Sequence, residues 1–199
     1  MEDCSVSPNT DASGERLMVD AARAGNEAAL SELYTLYFPR VYRYILTRTG
    51  STYDAEDLTE EVFMRVLEAI ERFQWRDVPF SAWLFRIAHN AVISQRRKDT
   101  ARGRTAPLLD VLAIDSRGPD ELVENRLALN EIMRAAEQLP EAQRQVITLR
   151  FSAALSVAET ALAMGKGEGN VKVIQHKAIT KLREMMGQKK RVKVESKTA

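Results

Sequence analysis

One stretch of the chain, residues 80–98, combines aromatic, amide and basic side chains at helical spacing. Wound at about 100° per residue, it places Arg86, Asn90 and Arg97 on one face and small or aliphatic residues opposite. Arginine binds phosphate or guanine through its planar fork, asparagine bonds a base edge as donor and acceptor, and aromatic rings stack on unpaired bases. The pattern favours a surface that opens or captures a DNA strand.

Three neighbouring residues bear on this surface. Trp75 lies in a proline-containing loop, residues 74–79, and we predict that it is more exposed than Trp83. Aromatic residues at helical spacing usually pack inward, so Trp83 is expected to be partly core. Arg96 continues the basic end of the stretch. From periodicity alone, Asn90 is equally compatible with an ordinary solvated residue.

Charge is separated along the chain, although the formal net charge is only +1. Residues 54–73 are strongly acidic, whereas residues 80–104 are strongly basic. From Arg150 to the end, eleven Lys or Arg residues oppose four Glu residues, as expected of a duplex binder. An acidic face is most often simply solvated, and a docking surface is the alternative.

A second motif lies near the end of the chain. Ser156 and Glu159 have capping-box spacing, residues 165–169 form a glycine-bearing turn, and a basic helix follows. This order predicts a helix-turn-helix. The turn is not a phosphate loop, because no strand precedes it and the required Lys-Ser or Lys-Thr is missing. On the second helix, the exposed side is predicted to carry Lys172, Val173, His176 and Lys177.

Helical periodicity begins near Arg16, and no alternating β-branched run indicates a strand. We predict an all-α chain of two small helical domains joined by a flexible linker, with the helix-turn-helix in the second. Glycines and prolines predict helix breaks at Gly25, Pro39 and Gly50, and a last helix from Asn170 to about Met186. The predicted divisions are a disordered tail (1–13), an N-terminal domain (14–98), a linker (99–118), a C-terminal domain (119–187) and a basic, frayed tail (188–199).

Composition argues against several classes of protein. One cysteine, Cys4, and two scattered histidines cannot build a disulfide framework or a zinc site, so we predict no metal and no cofactor. There is no apolar run of about 18 residues and no signal-peptide pattern, which predicts a soluble, cytoplasmic protein. An enzyme acting on nucleic acid would need a carboxylate cluster or metal ligands near the basic surface. We therefore predict that the protein is not an enzyme.

Four motifs in order give a family resemblance. They are Asp-Ala-Glu-Asp-Leu-Thr-Glu-Glu-Val-Phe at 54–63, Phe-Ser-Ala-Trp-Leu-Phe-Arg-Ile-Ala-His-Asn at 80–90, Leu-Pro-Glu-Ala-Gln-Arg at 139–144, and Gly-Asn-Val-Lys at 169–172 followed by Leu-Arg-Glu at 182–184. Together they resemble bacterial RNA polymerase sigma factors of the extracytoplasmic-function type. The resemblance spans about residues 16–186.

The resemblance implies that one domain binds core polymerase and the minus-ten promoter element, and the other binds the minus-thirty-five element. The acidic helix would dock on the clamp helices of the largest polymerase subunit, and Asn90 falls at the family's base-recognising position. An anti-sigma protein is a further implied partner. The implied sites are Asp54, Asp57, Glu60 and Glu61 for polymerase; Trp75, Arg86, Asn90, Arg96 and Arg97 for the minus-ten element; and Lys172, Val173, His176 and Lys177 for the minus-thirty-five element.

The chain departs from the family pattern at several positions. Ser94 replaces a frequent acid, Ala153-Ala154 replaces a frequent Glu-Gly, and Thr160 and Gln175 stand where aliphatic residues are common. The alternative function is a helix-turn-helix regulator that binds duplex DNA without polymerase. That alternative leaves the acidic helix and residues 80–98 without a role.

Overall fold

The computed structural model describes residues 12–75, 78–103, 132 and 135–195. Within these residues the chain is helical and no strand occurs, so the all-α prediction is confirmed. The helices with described bounds are α1 (Ala12–Arg23), α2 (Glu27–Thr49), α3 (Thr52–Ala69), α4 (Phe80–Ala101), α5 (Glu141–Ile147), α6 (Val157–Met164) and α7 (Glu168–Glu195). A 3-10 turn (Ile70–Arg72) follows α3, and a π-helical turn (Thr148–Ser152) follows α5.

Local capping residues set the helix ends of the N-terminal domain. The Asn26 side chain accepts a hydrogen bond from the Ala29 amide at 3.1 Å and starts α2. Gly50 ends α2 with φ of 74°, a left-handed conformation that glycine adopts without a Cβ penalty. The Ser51 hydroxyl then accepts from the Asp54 amide and starts α3. These boundaries agree with the sequence prediction.

The predicted helix break at Pro39 is wrong. Helix α2 continues through the proline, although proline removes one backbone donor and costs about 3 kcal/mol in a helix interior. The residues on both sides of Pro39 bury the same face: Leu33 and Tyr37 before it, Val41 and Tyr44 after it. Tertiary packing of this continuous face offsets the local cost.

An aromatic cluster in the core of the N-terminal domain fixes the start of α4. Phe80, the first residue of α4, is buried and contacts Phe73 edge-on, with ring centroids 5.5 Å apart. One turn further, Phe85 packs edge-on against Tyr44 of α2 at 5.8 Å. Because α4 is held on its buried side by both contacts, its opposite side is fixed in orientation.

The helix-turn-helix forms as predicted. Ser156 and Glu159 make the reciprocal capping box of α6, and Gly165 ends that helix with φ of 63°. Helix α7 starts at Glu168 and runs to Glu195, well beyond the predicted end at Met186. The expectation of a frayed tail is therefore wrong for residues 188–195, because that stretch contains good helix formers and no helix-breaking residue.

Three of the family departures have a structural account. Thr160 is fully buried, and its hydroxyl donates to the Ser156 carbonyl at 2.8 Å. Gln175 is half-buried, and its side-chain oxygen accepts from Arg150 Nε at 3.1 Å, so the amide in an aliphatic position is satisfied. Ala154 adopts φ of 52°, which is the conformation that glycine favours. No contact among the described residues explains Ser94.

The two domains pack against each other through α2, α4, α5 and α6. Leu149, Ala153 and Leu155 are at most 1% exposed, and they belong to the same apolar cluster as Phe85 of α4. Arg40 of α2 donates two hydrogen bonds to the Ala153 carbonyl, at 3.0 and 2.9 Å. Residues 1–11 of the tail predicted at 1–13, most of the linker predicted at 99–118 and residues 119–131 of the predicted C-terminal domain lie outside the described residues.

Candidate nucleic-acid and polymerase interfaces

Helix α4 presents the face that the sequence predicts. Arg86, Asn90 and Arg97 are exposed, whereas Ala88 and Val92 are completely buried. The three polar side chains therefore follow one line along the helix and can meet an extended strand. A base edge could bind the Asn90 amide while the arginines bind flanking phosphates.

A pocket of about 340 Å³ lies beside the first turns of α4. Trp83 is half-buried in its wall, with its ring 5.1 Å from Phe73 and 5.5 Å from Phe80, and Arg86 stands on the rim. An aromatic wall beside a basic rim suits an unstacked base. Of the residues that line this pocket, sequence reasoning nominated only Arg86 as a site residue; those it missed include Arg72, Gln74, Trp83 and Leu162. Trp83 and Arg86 are three positions apart on a helix, a spacing that could have indicated that their side chains are neighbours.

Trp75 and Trp83 are both partly buried, so the greater exposure expected of Trp75 stays a prediction. The Trp75 indole Nε1 donates a hydrogen bond to Asp20 Oδ1 at 2.9 Å. The Arg16 guanidinium covers the ring at 5.3 Å, and Phe73 contacts it edge-on. The bond from Trp75, helped by Arg23, lowers the pKa of Asp20 against the opposing effect of burial. Trp75 thus joins the loop to α1, and a direct role in DNA binding stays a prediction.

Arg96 is turned toward the second domain. Its Nη1 atom lies 2.6 Å from Glu141 Oε2 in the first turn of α5. Arg48 and Arg144 also pair with this carboxylate. Burial raises the pKa of Glu141, but the charge of Arg48 and hydrogen bonds from Arg144 and Gln145 outweigh it and hold the pKa at about 2. In this arrangement Arg96 does not share the free face of Arg86, Asn90 and Arg97.

The recognition helix α7 has the predicted polarity. Val171, Ala178 and Leu182 are buried against α5 and α6. The opposite side is exposed, and Val173 keeps 53% of its surface accessible. A hydrophobic residue this open, among basic neighbours, fits contact with a thymine methyl in a major groove. The exposed predicted residues are Lys172, Val173, His176 and Lys177.

The acidic face of α3 has an apolar neighbour that the sequence analysis missed. Asp57 and Glu60 are exposed, whereas Asp54 and Glu61 are partly covered, and Glu61 pairs with Arg65. Beside them, large apolar side chains are open to solvent, and a pocket of about 300 Å³ lies between α2 and α3. Met64 lies three to four residues from the acids, a spacing that could have placed it on their face. The open residues are Tyr34, Met64 and Leu67.

The family models for Sigma-70 region 2 and Sigma-70 region 4 match residues 33–102 and 135–184. The ECF RNA polymerase sigma factor BldN of Streptomyces coelicolor is 38% identical over 90% of this chain and 69% of that protein. SigD of Mycobacterium bovis is 33% identical over 90% of this chain and 88% of its own length. The chain belongs to the ECF RNA polymerase sigma factors.

Solved structures agree on the fold of this sigma factor. CnrH, in complex with the cytosolic domain of CnrY, matches with a TM-score of 0.68 and 24% identity, over 89% of this chain and 99% of that one. RpoE of Bartonella quintana, in complex with the anti-sigma factor NepR, gives 0.64 and 22% identity, over 79% and 96%. The stand-alone regulator is not favoured, because it gives the region 2 match no role.

Proposed function

We propose that this sigma factor binds core RNA polymerase, recognises a two-part promoter and holds the opened minus-ten strand on the exposed face of α4. The observation that carries this proposal is the line of Arg86, Asn90 and Arg97 beside the pocket walled by Trp83. Phosphate contacts from the arginines position the strand, and Asn90 supplies sequence preference. Family membership supplies the partner, since sigma factors work on polymerase.

Binding of an unpaired base to this surface releases about as much free energy as extruding that base from the duplex costs. Stacking of one base on an aromatic ring contributes about 1 to 3 kcal/mol. Extruding a base from a duplex costs a few kcal/mol. Because these two free energies are similar, a pocket with one stacking wall and two phosphate contacts can hold a base that has already left the duplex. The pocket does not melt the duplex by itself. The remaining free energy comes from the polymerase and from duplex binding by α7.

Helix α7 binds the minus-thirty-five element as duplex. Its exposed Lys172 and Lys177 meet phosphates or guanines, while Val173 and His176 face the groove floor. This contact positions the factor before melting begins. The basic composition of the domain adds attraction that does not depend on sequence.

The acidic side of α3 docks on the polymerase. Asp57 and Glu60 supply charge, and the open Tyr34, Met64 and Leu67 supply apolar area next to it. Interfaces of this composition combine electrostatic steering with an apolar centre. In this proposal nucleotide addition is carried out by the polymerase, and the sigma factor acts with it in the cytoplasm.

An anti-sigma factor is a proposed further partner. RpoE of Bartonella quintana, which shares the fold, was solved bound to the anti-sigma factor NepR. By analogy, a protein of that class would restrain this chain until a signal releases it.

The test is promoter opening by core polymerase reconstituted with this chain, followed by a fluorescent base in the minus-ten strand. Asn90→Ala is expected to reduce opening while polymerase binding stays unchanged. Gln95→Ala is the matched control, because it removes an amide about 140° round the same helix. Equal opening by Asn90→Ala and the parent would remove Asn90 from the proposal. A parent chain that never binds core polymerase would end the proposal altogether.

A further inference from the structure

Helix α1 lies outside the residues that the region 2 model matches, 33–102, yet it is bonded to the loop before α4. Trp75 of that loop donates from Nε1 to Asp20 Oδ1 at 2.9 Å. The Arg16 guanidinium, one turn earlier on α1, lies over the indole ring at 5.3 Å from its centroid. Helix α1 also contacts the 3-10 turn (Ile70–Arg72). The same helix therefore holds the loop and the turn that precedes it.

The segment around Trp75 forms one wall of the candidate strand-capture pocket. Phe73, Gln74 and Val78 line the pocket, and each lies within three positions of Trp75 in the sequence. The buried Phe73 ring has its centroid 5.1 Å from that of Trp75 and 5.1 Å from that of Trp83. Because packed rings cannot move independently of one another, a shift of Trp75 is passed to the wall that faces Trp83.

The bond from Trp75 is the main anchor of this loop. Of the loop residues that the structure describes, Trp75 is the one whose side chain hydrogen-bonds to another helix. Gln74 and Pro79 are exposed, and Val78 is only partly buried. Surface loops are among the least stable parts of a fold, so a single long-range contact has a large effect on their position. The bond to Asp20 thus selects one position of the pocket wall.

Asp20 makes two contacts that can be separated by substitution. Its Oδ1 atom accepts from Trp75 Nε1 and also from Arg23 Nη1, which lies 3.0 Å away. The Asp20 side chain is 43% exposed, so water screens the ion pair with Arg23 and its contribution to stability is modest. The bond to Trp75, by contrast, fixes the direction of the indole. Only this second contact reaches the pocket wall.

We infer that Asp20 is a positioning residue for strand capture. Through the Trp75 indole it holds the loop before α4 where the pocket beside Trp83 accepts an unpaired base. The inference rests on the proposed function, because it requires that this pocket binds the minus-ten strand. It makes helix α1, which the region 2 model does not include, a working part of promoter opening.

Promoter opening by core polymerase with the full chain, followed by a fluorescent base in the minus-ten strand, tests the inference. Asp20→Ala removes the acceptor and is expected to slow opening about two- to tenfold, the factor that corresponds to one hydrogen bond. Affinity for core polymerase and for the minus-thirty-five duplex is expected to stay unchanged. Asp20→Asn keeps an oxygen that accepts from Nε1, so it is expected to restore opening to the parent level. All rates are compared well below the Tm of each variant.

Arg23→Ala is the matched control. It removes the ion pair with Asp20 and leaves the bond to Trp75, so opening is expected to equal that of the parent. In a Trp75→Phe background, which lacks the indole donor, Asp20→Ala is expected to slow opening no further. A role in stability alone would slow opening equally in both backgrounds.

Two results would overturn the inference. One is opening by Asp20→Ala at the parent rate. The other is a loss that is the same with and without the Trp75 indole, or that Arg23→Ala reproduces. Failure of the unsubstituted parent to open the promoter would instead contradict the proposed function.

Discussion

The Trp75 indole Nε1 donates a hydrogen bond to Asp20 Oδ1 at 2.9 Å and so joins the loop before α4 to helix α1. This bond crosses 55 positions of sequence. Because the same loop borders the pocket beside Trp83, the position of Trp75 affects the surface that binds the strand. The bond therefore links the stability of α1 to the shape of the candidate site.

The first prediction concerns this bond. Trp75→Phe keeps an aromatic ring against Phe73 and removes the donor, whereas Asp20→Ala removes the acceptor. Trp75→Phe is expected to cost about 1 kcal/mol, since one hydrogen bond is lost, and Asp20→Ala is expected to cost more, since its pair with Arg23 at 3.0 Å is lost as well. The first of these costs corresponds to a fall in Tm of about 2–4 °C in a chain of this size. Thermal unfolding of both single variants and the double variant gives the coupling free energy between Trp75 and Asp20. Strictly additive losses would show that the bond contributes nothing.

The second prediction concerns Ala154. Its φ of 52° places Cβ too close to the neighbouring carbonyl, a strain of roughly 1–2 kcal/mol that glycine avoids. Glycine loses more backbone entropy on folding, so Ala154→Gly is expected to stabilise the protein by a net amount of about 1 kcal/mol or less. Chemical denaturation measures this. Ala153→Gly is the control, because Ala153 has an ordinary φ of −92° and is fully buried, and that change should destabilise the protein. Destabilisation by Ala154→Gly would mean that the backbone strain is absent.

Local signals in the sequence predicted most helix ends but few of the long-range contacts. Asn26, Gly50 and the Ser156–Glu159 pair act on their own neighbours, so their effects follow from spacing alone. By contrast, Arg48 and Glu141 are 93 positions apart, and nothing in either local pattern indicates the pairing. The continuity of α2 at Pro39 has the same origin, because packing partners elsewhere in the chain decide it.

The same distinction between local signals and long-range contacts applies to the candidate site. The exposed Arg86 and Asn90 and the outward face of α7 follow from helical periodicity and were predicted. The bond between Trp75 and Asp20 was not predicted, because Asp20 lies in another helix. The pocket beside Trp83 combines a 3-10 turn, a loop and a helix of the second domain, so it exists only in the folded chain.

The third prediction is a pH dependence of stability that arises from His89. The hydroxyl of buried Tyr44 lies 3.2 Å from His89 Nδ1, and burial raises the pKa of Tyr44 to about 12, so the tyrosine stays protonated. Burial, together with the charge of Arg48, lowers the pKa of His89 below its usual 6.5. The folded state therefore binds a proton at His89 less readily than the unfolded state does. The resulting stability is present above pH 6.5 and is lost as the pH falls through the folded-state pKa.

Thermal unfolding between pH 8 and about pH 5 tests this dependence. The parent protein is expected to lose Tm over that interval, and His89→Gln should lose less. His176→Gln is the control, because it removes the chain's other histidine from an exposed position on α7. Identical pH profiles for the parent and His89→Gln would assign the dependence to other groups.

The fourth prediction concerns polymerase docking by α3. Glu60→Lys reverses an exposed charge beside the open apolar side chains Met64 and Leu67. Affinity for core polymerase is expected to fall by about tenfold at low salt, mainly through slower association, and the difference should shrink as salt rises. The association and dissociation rates are measured by binding to surface-immobilised polymerase. Glu32→Lys makes the same charge change at an exposed position of α2 about 200° from Tyr34, and it should bind nearly as well as the parent. Equal losses for both variants would indicate a general charge effect and no docking face.

The last prediction concerns duplex binding by α7. Lys177 is exposed beside Val173 on the outward side of the helix, so Lys177→Ala removes one positive charge from the proposed groove contact. If Lys177 neutralises a phosphate, affinity falls to a similar extent for all sequences, and the salt slope decreases by about 1. If it donates to a guanine, discrimination at one base pair falls by about 1 to 3 kcal/mol and the effect depends on sequence. Titrations with the minus-thirty-five duplex and with duplexes that carry one base-pair substitution, at several salt concentrations, separate these cases.

Lys98→Ala, at an exposed position of α4, is the control and should leave minus-thirty-five binding unchanged. A Lys177→Ala protein with the affinity and salt slope of the parent would show that α7 meets the duplex through a different face.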